Sequence, residues 1–369
     1  MRTTLLTGAL FAAGVWCKDA GKKKNIILDT DLYSDVDDVG ALLLAATLPS
    51  SNLLAVNINV PSTYSAHAAS ALLGYYGHSS TPLGIARPLS NMTFFDGFFY
   101  ELGEYASKIA YHYRDYAKLE WEDGWGLGEL ERSAEEGTED AVDLYRRVLA
   151  EAEDGSVTIC SIGFFNNLSG LLNSTADSHS DLDGPDLIAK KVTELVVMGG
   201  QYPSGSEYNF FGDNPLHTAH VINTWAGRIT FSGTELGGHV FSGSGLLSSG
   251  PKTDPTLKGY AWYNYGKPRE SWDPLTVLYA VEGSGCLFEE KGKGGRNYVF
   301  QNGSNEWRWD KDGKDGEDEG GKRGEQRWLK LKVKNETAEA VLDDMFLRGA
   351  WSYKKSDYEK DGCKGKEEL

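Results

Sequence analysis

Residues 25–44 constrain the fold of this chain more than any other segment. The apolar run 26–28 is followed within ten residues by five aspartates, which are Asp29, Asp31, Asp35, Asp37 and Asp38. An apolar helical pattern begins directly after them. A strand that leads into a helix is the repeating unit of parallel α/β sheets, which bind ligands at the carboxyl ends of their strands. The segment therefore predicts an α/β fold with an acidic cluster at the ligand-binding edge of its sheet.

Short β-branched apolar runs recur along the chain, at residues 53–58, 157–162, 195–198 and 228–231. Between them, apolar residues from Ala141 to Leu149 recur at helical spacing after Thr138, a residue type suited to capping a helix. A similar pattern over residues 338–347 predicts a closing helix. We expect an α/β fold with a mostly parallel central sheet flanked by helices, Rossmann-like, in a single domain over residues 22–369.

Two segments depart from this alternation. Residues 92–130 are rich in Phe, Tyr, Trp and Gly without a clear period, which predicts an aromatic insertion or lid beside the binding edge. Residues 308–327 are dominated by Lys, Asp, Glu and Gly. Such a stretch buries too little apolar surface to offset its ordering entropy, so we expect a charged solvent loop there.

The N-terminus is typical of a secreted protein. Residues 1–17 combine Arg2 with an apolar stretch that is short for a membrane span, which predicts a signal peptide whose cleavage site stays open. Asn-x-Ser/Thr sequons suit an extracellular glycoprotein, and they begin at Asn91, Asn167, Asn173, Asn302 and Asn335. We therefore expect secretion.

The cysteines fit an oxidising compartment without fixing a pairing. Cys160 lies inside an apolar run and is expected to be an inert core residue. Cys286 and Cys363 both lie near glycine-rich loops, so a disulfide between them stays open.

The acidic composition narrows the class of partner. The formal net charge of −17 argues against nucleic acid or an anionic membrane, because both would be repelled. So many neighbouring carboxylates also repel one another, and a divalent cation holds them together most economically. Hard oxygen ligands favour Ca²⁺ or Mg²⁺. Helix capping and the helix dipole explain one or two of the aspartates, and the spacing is not that of an EF-hand.

Five motifs in order resemble the inosine-uridine nucleoside hydrolase family over roughly residues 25–350. These are the Asp-x-Asp with its downstream Asp-Asp, Asn59 after the second strand, the stretch from Gly163 to Leu168, Met198-Gly-Gly with Glu207-Tyr-Asn209, and Ser271-Trp272-Asp273. The Asp29-x-Asp31 pair alone is also similar to haloacid dehalogenase-type phosphatases. The resemblance implies a small-molecule nucleoside as substrate and leaves the oligomeric state open.

The resemblance also implies roles for individual residues. Ca²⁺ is held by Asp31, Asp38, Asp273 and the backbone carbonyl of Ile162, and Asp31 is the catalytic base that activates water. The other site residues are expected to bind substrate, except Asp29, which supports the loop from behind; the substrate-binding set is Asp35, Asp37, Asn59, Glu207, Asn209 and Trp272. Whether Asp35 or Asp37 contacts the ribose stays open, because the spacing after Asp31 is two residues longer than in common members.

Three functions are therefore predicted in order. The first is calcium-dependent hydrolysis of the N-glycosidic bond of ribonucleosides to free base and ribose. The second is a secreted riboside-binding protein without turnover, motivated by Trp272 at a position where the family often has histidine. The third is a phosphohydrolase with Asp29 as nucleophile. No residue that protonates the leaving base is predicted.

Overall fold

The apolar run 26–28 forms the middle of a strand that lies near the centre of a large sheet. In the computed structural model, the described residues are 23–94, 102–121, 126–309 and 324–361. The predicted signal peptide and Cys363 lie outside them. The strands of the described chain are β1 (Lys24–Thr30), β2 (Ser51–Ile58), β3 (Leu83–Ile85), β4 (Glu139–Asp140), β5 (Val157–Ser161), β6 (Val192–Met198), β7 (Ser204–Gly205), β8 (Ile229–Ser232), β9 (Phe241–Ser242), β10 (Arg269–Glu270), β11 (Phe288–Lys291), β12 (Gly295–Val299), β13 (Asn305–Trp309) and β14 (Gln326–Leu331).

Helices connect most of these strands, as parallel pairing requires. In chain order they are α1 (Asp37–Thr47), α2 (Thr63–Tyr75), α3 (Ala106–His112), α4 (Leu127–Gly137), α5 (Ala141–Glu151), α6 (Asn166–Asn173), α7 (Gly184–Lys191), α8 (Tyr208–Phe211), α9 (Pro215–Thr224), α10 (Thr234–Gly237), α11 (Ser244–Ser249), α12 (Pro255–Tyr263), α13 (Trp272–Glu282) and α14 (Asn335–Asp361). The closing helix predicted at 338–347 lies within α14.

The main sheet has nine strands in the order β11-β14-β8-β6-β5-β1-β2-β3-β4. Every neighbouring pair is parallel except β11 with β14, which is antiparallel at one edge. The chain runs from β1 outward to β4 and then returns to β5 on the other side of β1. This reversal opens a crevice at the carboxyl ends of β1 and β5, where α/β sheets bind ligands. The predicted fold class is confirmed.

Two hydrophobic cores cover the two faces of the sheet. Ile26 and Leu28 face a core that includes side chains of α1, α2, α13 and α14, whereas Ile27 faces a core that includes side chains of α5, α6, α7 and α9. Each of these strand residues has no exposed surface. Burying one such side chain stabilises the fold by roughly 1.5–3 kcal/mol, so β1 is fixed from both sides and its polar end is held in place.

The structure corrects details of the predicted elements. Thr138 ends α4, and Asp140 caps α5 instead, because its carboxylate accepts hydrogen bonds from the N–H groups of Val142 and Asp143. The ends of the charged loop predicted over 308–327 are strands, since residues 308–309 belong to β13 and 326–327 to β14, while residues 310–323 lie outside the described residues. The predicted aromatic insertion 92–130 contains α3, a short 3₁₀ turn at Arg114–Tyr116 and the start of α4.

Two sequence expectations about surface chemistry can be compared with burial. Cys160 is buried in the core, as predicted, and Cys286 is exposed. Asn167 is only 3% exposed, so the sequon there does not suit glycosylation of the folded protein, whereas Asn173, Asn302 and Asn335 are exposed. No helix of the described chain has the length and apolarity needed to cross a membrane.

Candidate active site

The loop after β1 folds back onto the start of α1. Leu32 has a φ of 40°, a conformation that side-chain-bearing residues seldom adopt. Its N–H donates to the Thr30 hydroxyl at 3.1 Å and to the Asp38 carboxylate at 3.2 Å, and the Thr30 hydroxyl donates to Asp38 as well. These bonds hold the strained loop, so Asp31 and Asp38 remain close to one another at the sheet edge.

The first turns of two helices bring three carboxylates together. Asp37 and Asp38 begin α1, Asp273 is the second residue of α13, and ligand oxygens of all three lie within 4.8 Å of one another. The Asp273 N–H also donates to Asp37 at 3.1 Å. We call Asp37, Asp38 and Asp273 the carboxylate trio. The partial positive charge at both helix starts favours this concentration of acids.

Burial and mutual repulsion govern the electrostatics of the trio. No member is more than 5% exposed. Burial, followed by the charges of neighbouring carboxylates, raises the pKa of Asp37, Asp38 and Asp273 well above the usual range. For Asp273, burial raises the pKa most, and the charges of neighbouring aspartates raise it further. The charge of Arg269 lowers the pKa of Asp37, but this guanidinium is ion-paired with Asp35. Three hard oxygen donors that repel one another fit a divalent cation such as Ca²⁺.

Asp31 lies beside the trio without belonging to it. It is 3% exposed, and the Ser34 hydroxyl donates to its Oδ2 at 3.0 Å. Burial raises the pKa of Asp31 to about 6, while the Ser34 hydrogen bond acts in the opposite direction. The charge of Asp31 raises the pKa of Asp38 more than the charge of Asp37 does. The compact group in this structure therefore contains Asp37 where the sequence predicted Asp31 as the third carboxylate ligand.

Asp29 has a different environment, in which protein donors satisfy its carboxylate. The side chains of Asn59, Tyr145 and Asn167 donate to it at 2.6, 2.8 and 3.2 Å. Burial raises the pKa of Asp29 to about 6, and these three bonds oppose that rise. A carboxylate enclosed in this way supports the loop from behind and is poorly placed to be the nucleophile of a phosphohydrolase.

The turn after β5 packs tightly against the Asp loop. A Cβ at Gly163 would lie 2.6 Å from the backbone nitrogen of Asp31 and 2.7 Å from the amide of Asn59, so only glycine fits. The preceding Ile162 donates its N–H to the Asp29 carbonyl at 2.7 Å. Its own carbonyl, the predicted calcium ligand, accepts a hydrogen bond from Asn209 at 3.3 Å.

Two further predicted substrate contacts lie at the same edge. Glu207 caps α8 by accepting from the Asn209 N–H at 2.8 Å and from the Gly200 N–H at 3.2 Å. Burial raises the pKa of Glu207 to about 7 against these bonds. The side-chain amide oxygen of Asn59 is buried and has no hydrogen-bond partner within the described chain, which leaves an acceptor for a hydroxyl donor.

The structure distinguishes Asp35 from Asp37. Asp35 forms an ion pair with Arg269, whose Nε lies 2.9 Å from its Oδ1, so its charge is already balanced by the protein. Asp37 has no such cation as an ion-pair partner within the described residues, which leaves it as the better candidate for a ribose contact. The Trp272 indole donates to the Thr234 carbonyl at 2.8 Å, which commits its only donor.

Sequence reasoning did not predict which side chains pair with Asp29 and Asp35. Tyr145 lies 116 positions from Asp29 on the buried face of α5, where its apolar spacing indicated a packing role only. Asn167 lies both in a family motif and in a sequon, and neither pattern predicts that it donates to Asp29. Arg269 offered a weak signal, since it precedes the Ser271-Trp272-Asp273 motif by two residues. A buried network of this kind becomes visible only once the strands are placed side by side.

Comparison with known families identifies the family of this chain. The sequence model of the family described as "Inosine-uridine preferring nucleoside hydrolase" matches residues 26–291, which is more than half of the chain. This match defines the protein as a hydrolase of N-glycosidic bonds. The chain belongs to the inosine-uridine preferring nucleoside hydrolase family.

Solved structures show the same fold at low sequence identity. A plant nucleoside hydrolase is 17% identical, with 88% of this chain and 99% of that one covered and a TM-score of 0.62. The inosine-uridine preferring nucleoside hydrolase of Bacillus anthracis is 16% identical, with 89% and 99% covered and a TM-score of 0.59. An inosine-guanosine nucleoside hydrolase is 17% identical, with 88% and 98% covered and a TM-score of 0.59. Among curated proteins, the search found no significant match.

Proposed function

We propose that this protein hydrolyses ribonucleosides to free base and ribose in a calcium-dependent reaction. The observation that carries the proposal is the carboxylate trio, in which three buried aspartates lie together while the nearby Arg269 is ion-paired with Asp35 instead. Family membership supports the hydrolysis of nucleosides. The trio supports the metal, because a divalent cation relieves the repulsion that burial intensifies.

Asp38 and Asp273 are the proposed ligands shared by the sequence prediction and the trio. Asp31 completes the carboxylate set, as the resemblance implies, and the Ile162 carbonyl adds a neutral oxygen that needs no particular side chain. When bound, Ca²⁺ supplies positive charge that orients hydroxyl groups and polarises water. Asp37, Asn59, Glu207 and Asn209 are left to bind and orient the ribose.

Asp31 acts as the general base in this proposal. It accepts a proton from the attacking water while the water oxygen bonds to the anomeric carbon and the bond from that carbon to the base nitrogen breaks. Positive charge that develops on the ribose is stabilised by the surrounding carboxylates. Asp29 holds the loop in place through Asn59, Tyr145 and Asn167, so the geometry of Asp31 does not have to be created when the substrate binds.

The test is chromatographic detection of free base after a panel of ribonucleosides is incubated with purified protein. Reactions with added Ca²⁺ are compared with reactions containing chelator, and Asp181→Asn, at an exposed aspartate far along the chain, provides a charge-matched control. We expect release of base that chelator abolishes and Asp181→Asn preserves. Folded protein that binds a nucleoside without releasing base would instead favour the riboside-binding function.

We also propose that the protein is secreted as a glycoprotein. The proposal is supported by the predicted signal peptide at residues 1–17 and by the exposed sequons at Asn173, Asn302 and Asn335. Expression in a eukaryotic host, followed by immunoblotting of medium and cell lysate with and without glycosidase, tests it. We expect the mature protein in the medium with a mass that falls on deglycosylation. Retention of an unprocessed chain in the lysate would contradict secretion.

A further inference from the structure

A half-buried carboxyl group, that of Glu104, lies on the segment that follows residue 101. Glu104 Oε1 accepts a hydrogen bond from the Ser107 N–H at 2.7 Å. Its Oε2 is buried and has no hydrogen-bond partner in the described part of the chain. Buried polar atoms are nearly always paired in folded proteins, so an unpaired carboxyl oxygen requires an explanation.

The segment that carries Glu104 is fastened to the active-site loop. The Gly103 N–H donates to the Tyr263 carbonyl at 2.9 Å, and the Tyr263 hydroxyl donates to the Ser34 carbonyl at 2.8 Å. The Tyr105 hydroxyl donates to the Asp35 carbonyl at 2.6 Å. A Cβ at Gly103 would lie 2.2 Å from the Trp262 carbonyl oxygen, so the close approach requires glycine. These contacts fix Glu104 relative to the loop that carries Asp31.

Aromatic side chains are electrostatically linked to both Glu104 and Asp31. Burial and then the charge of Glu104 raise the pKa of both Tyr33 and Tyr64. The charge of Tyr208 also raises the pKa of Tyr33. Burial and then the charge of Asp31 raise the pKa of Tyr208. Tyr208 packs on Phe164 with ring centroids 5.8 Å apart. We call Tyr33, Tyr64, Phe164 and Tyr208 the aromatic group. It is 51% exposed at Tyr208, and flat faces of this kind suit a planar heterocycle.

We propose that Glu104 is a catalytic residue that donates a proton to the departing nucleobase, which the aromatic group holds. This inference rests on the proposed nucleoside hydrolysis and names a group that the sequence did not. As the bond from the anomeric carbon to the base nitrogen breaks, its electron pair stays on the base, and the Oε2 proton of Glu104 passes to a ring nitrogen. The water oxygen bonds to the anomeric carbon, Asp31 takes the water proton, and solvent reprotonates Glu104.

The surroundings of Glu104 suit a carboxyl that holds a proton. Burial raises the pKa of Glu104, while the Ser107 N–H and the charge of Lys108 act in the opposite direction. Within the described chain, the charge of Lys108 lowers the pKa of Glu104, and the charge of Glu104 raises the pKa of Tyr33 and Tyr64. A protonated Oε2 is a donor without an acceptor, and a ring nitrogen of the base offers the missing lone pair.

The test compares two leaving groups in Glu104→Gln, with Glu120→Gln, an exposed glutamate of the same segment, as the matched control. One substrate is a natural ribonucleoside, whose base leaves poorly without a proton. The other is p-nitrophenyl ribofuranoside, whose phenolate leaves without one. We expect kcat on the nucleoside to fall roughly a hundredfold or more in Glu104→Gln, while kcat on the phenyl riboside stays within a few fold. Glu120→Gln should match wild type on both.

The pH profile provides a second readout. In wild type, nucleoside turnover should decline on the alkaline side as Glu104 loses its proton, and Glu104→Gln should lack that decline. Glu104→Asp, which keeps an acid on a shorter side chain, should recover part of the nucleoside activity. Equal loss on both substrates in a variant that still unfolds cooperatively would overturn the proposal, as would unchanged nucleoside turnover. If wild type cleaves neither substrate, the proposed function fails instead.

Discussion

Asp29 and the carboxylate trio are buried acids at the same edge of the sheet, but their neighbours differ in kind. Asp29 accepts hydrogen bonds from three side chains that the fold delivers from α5, α6 and the end of β2. The pKa of Asp273, in the trio, is raised by burial and then by the charges of other aspartates. The comparison teaches that burial alone does not make an acid functional. A buried carboxylate surrounded mainly by other carboxylates, as Asp273 is, is the kind that a cation stabilises.

The largest effect is expected when one charge is removed from the trio. Asp273→Asn should lower turnover roughly a thousandfold, because several kcal/mol of transition-state stabilisation are lost with the metal. The same change should not lower the free energy of unfolding of chelator-treated protein, because it removes a repelled charge. Steady-state kinetics and denaturant titration measure the two effects. A large loss of stability in chelator would show that Asp273 is structural.

A second prediction tests whether Asp31 or Asp37 is the third carboxylate ligand of the metal. Asp31→Asn should lose more affinity for Ca²⁺ than Asp37→Asn, and its turnover should fall about a hundred- to ten-thousandfold because the general base is lost. Asp37→Asn should mainly raise KM for the nucleoside. Calcium titrations of both variants under identical conditions decide the order. If Asp37→Asn loses more affinity, the compact trio itself is the ligand set.

Asp29→Ala should have the opposite signature to Asp273→Asn. It leaves the donors of Asn59, Tyr145 and Asn167 unpaired in the core, and the free energy of unfolding should fall by about 3 kcal/mol or more. Because no metal is involved, the loss should be the same with Ca²⁺ and with chelator. Denaturant unfolding in both buffers checks this. A loss that appears only with Ca²⁺ would place Asp29 among the metal ligands.

The smallest effect is expected at Glu207, through pH. Its ordinary pKa is 4.5, and burial raises it to about 7 in the folded state. The stability contributed by its protonated form is therefore present below pH 4.5 and lost as the pH rises through 7. Relative to Glu207→Gln, chelator-treated wild type should lose up to about 3 kcal/mol of unfolding free energy between these limits. Thermal unfolding at several pH values would refute this if the two curves stayed parallel.

Much of this account could be predicted from local sequence. Period and residue type located β1, β2, β5, β6 and β8, and the order of motifs identified the family. The Asp-rich loop could be predicted because five aspartates follow one apolar run within ten residues. Each run and each single motif is local in sequence, and only the order of the motifs extends along the chain.

What could not be predicted depends on contacts between distant segments. Tyr145 reaches Asp29 because β1 and α5 pack together, and Arg269 neutralises Asp35 from 234 positions away. Asp37 joins the trio because the strained turn at Leu32 folds the loop back on α1. Glu104 lies in an aromatic segment without a period, so no pattern marked it.

The most direct test of the central claim is calorimetric titration of Ca²⁺ into chelator-stripped wild-type protein, with Asp273→Asn measured alongside. The account predicts saturable binding at one site in wild type and a loss of that binding in Asp273→Asn. Wild-type protein that is folded but takes up no Ca²⁺, or a variant that binds it as tightly as wild type, would contradict the claim that Asp273 helps to hold a calcium ion at this site.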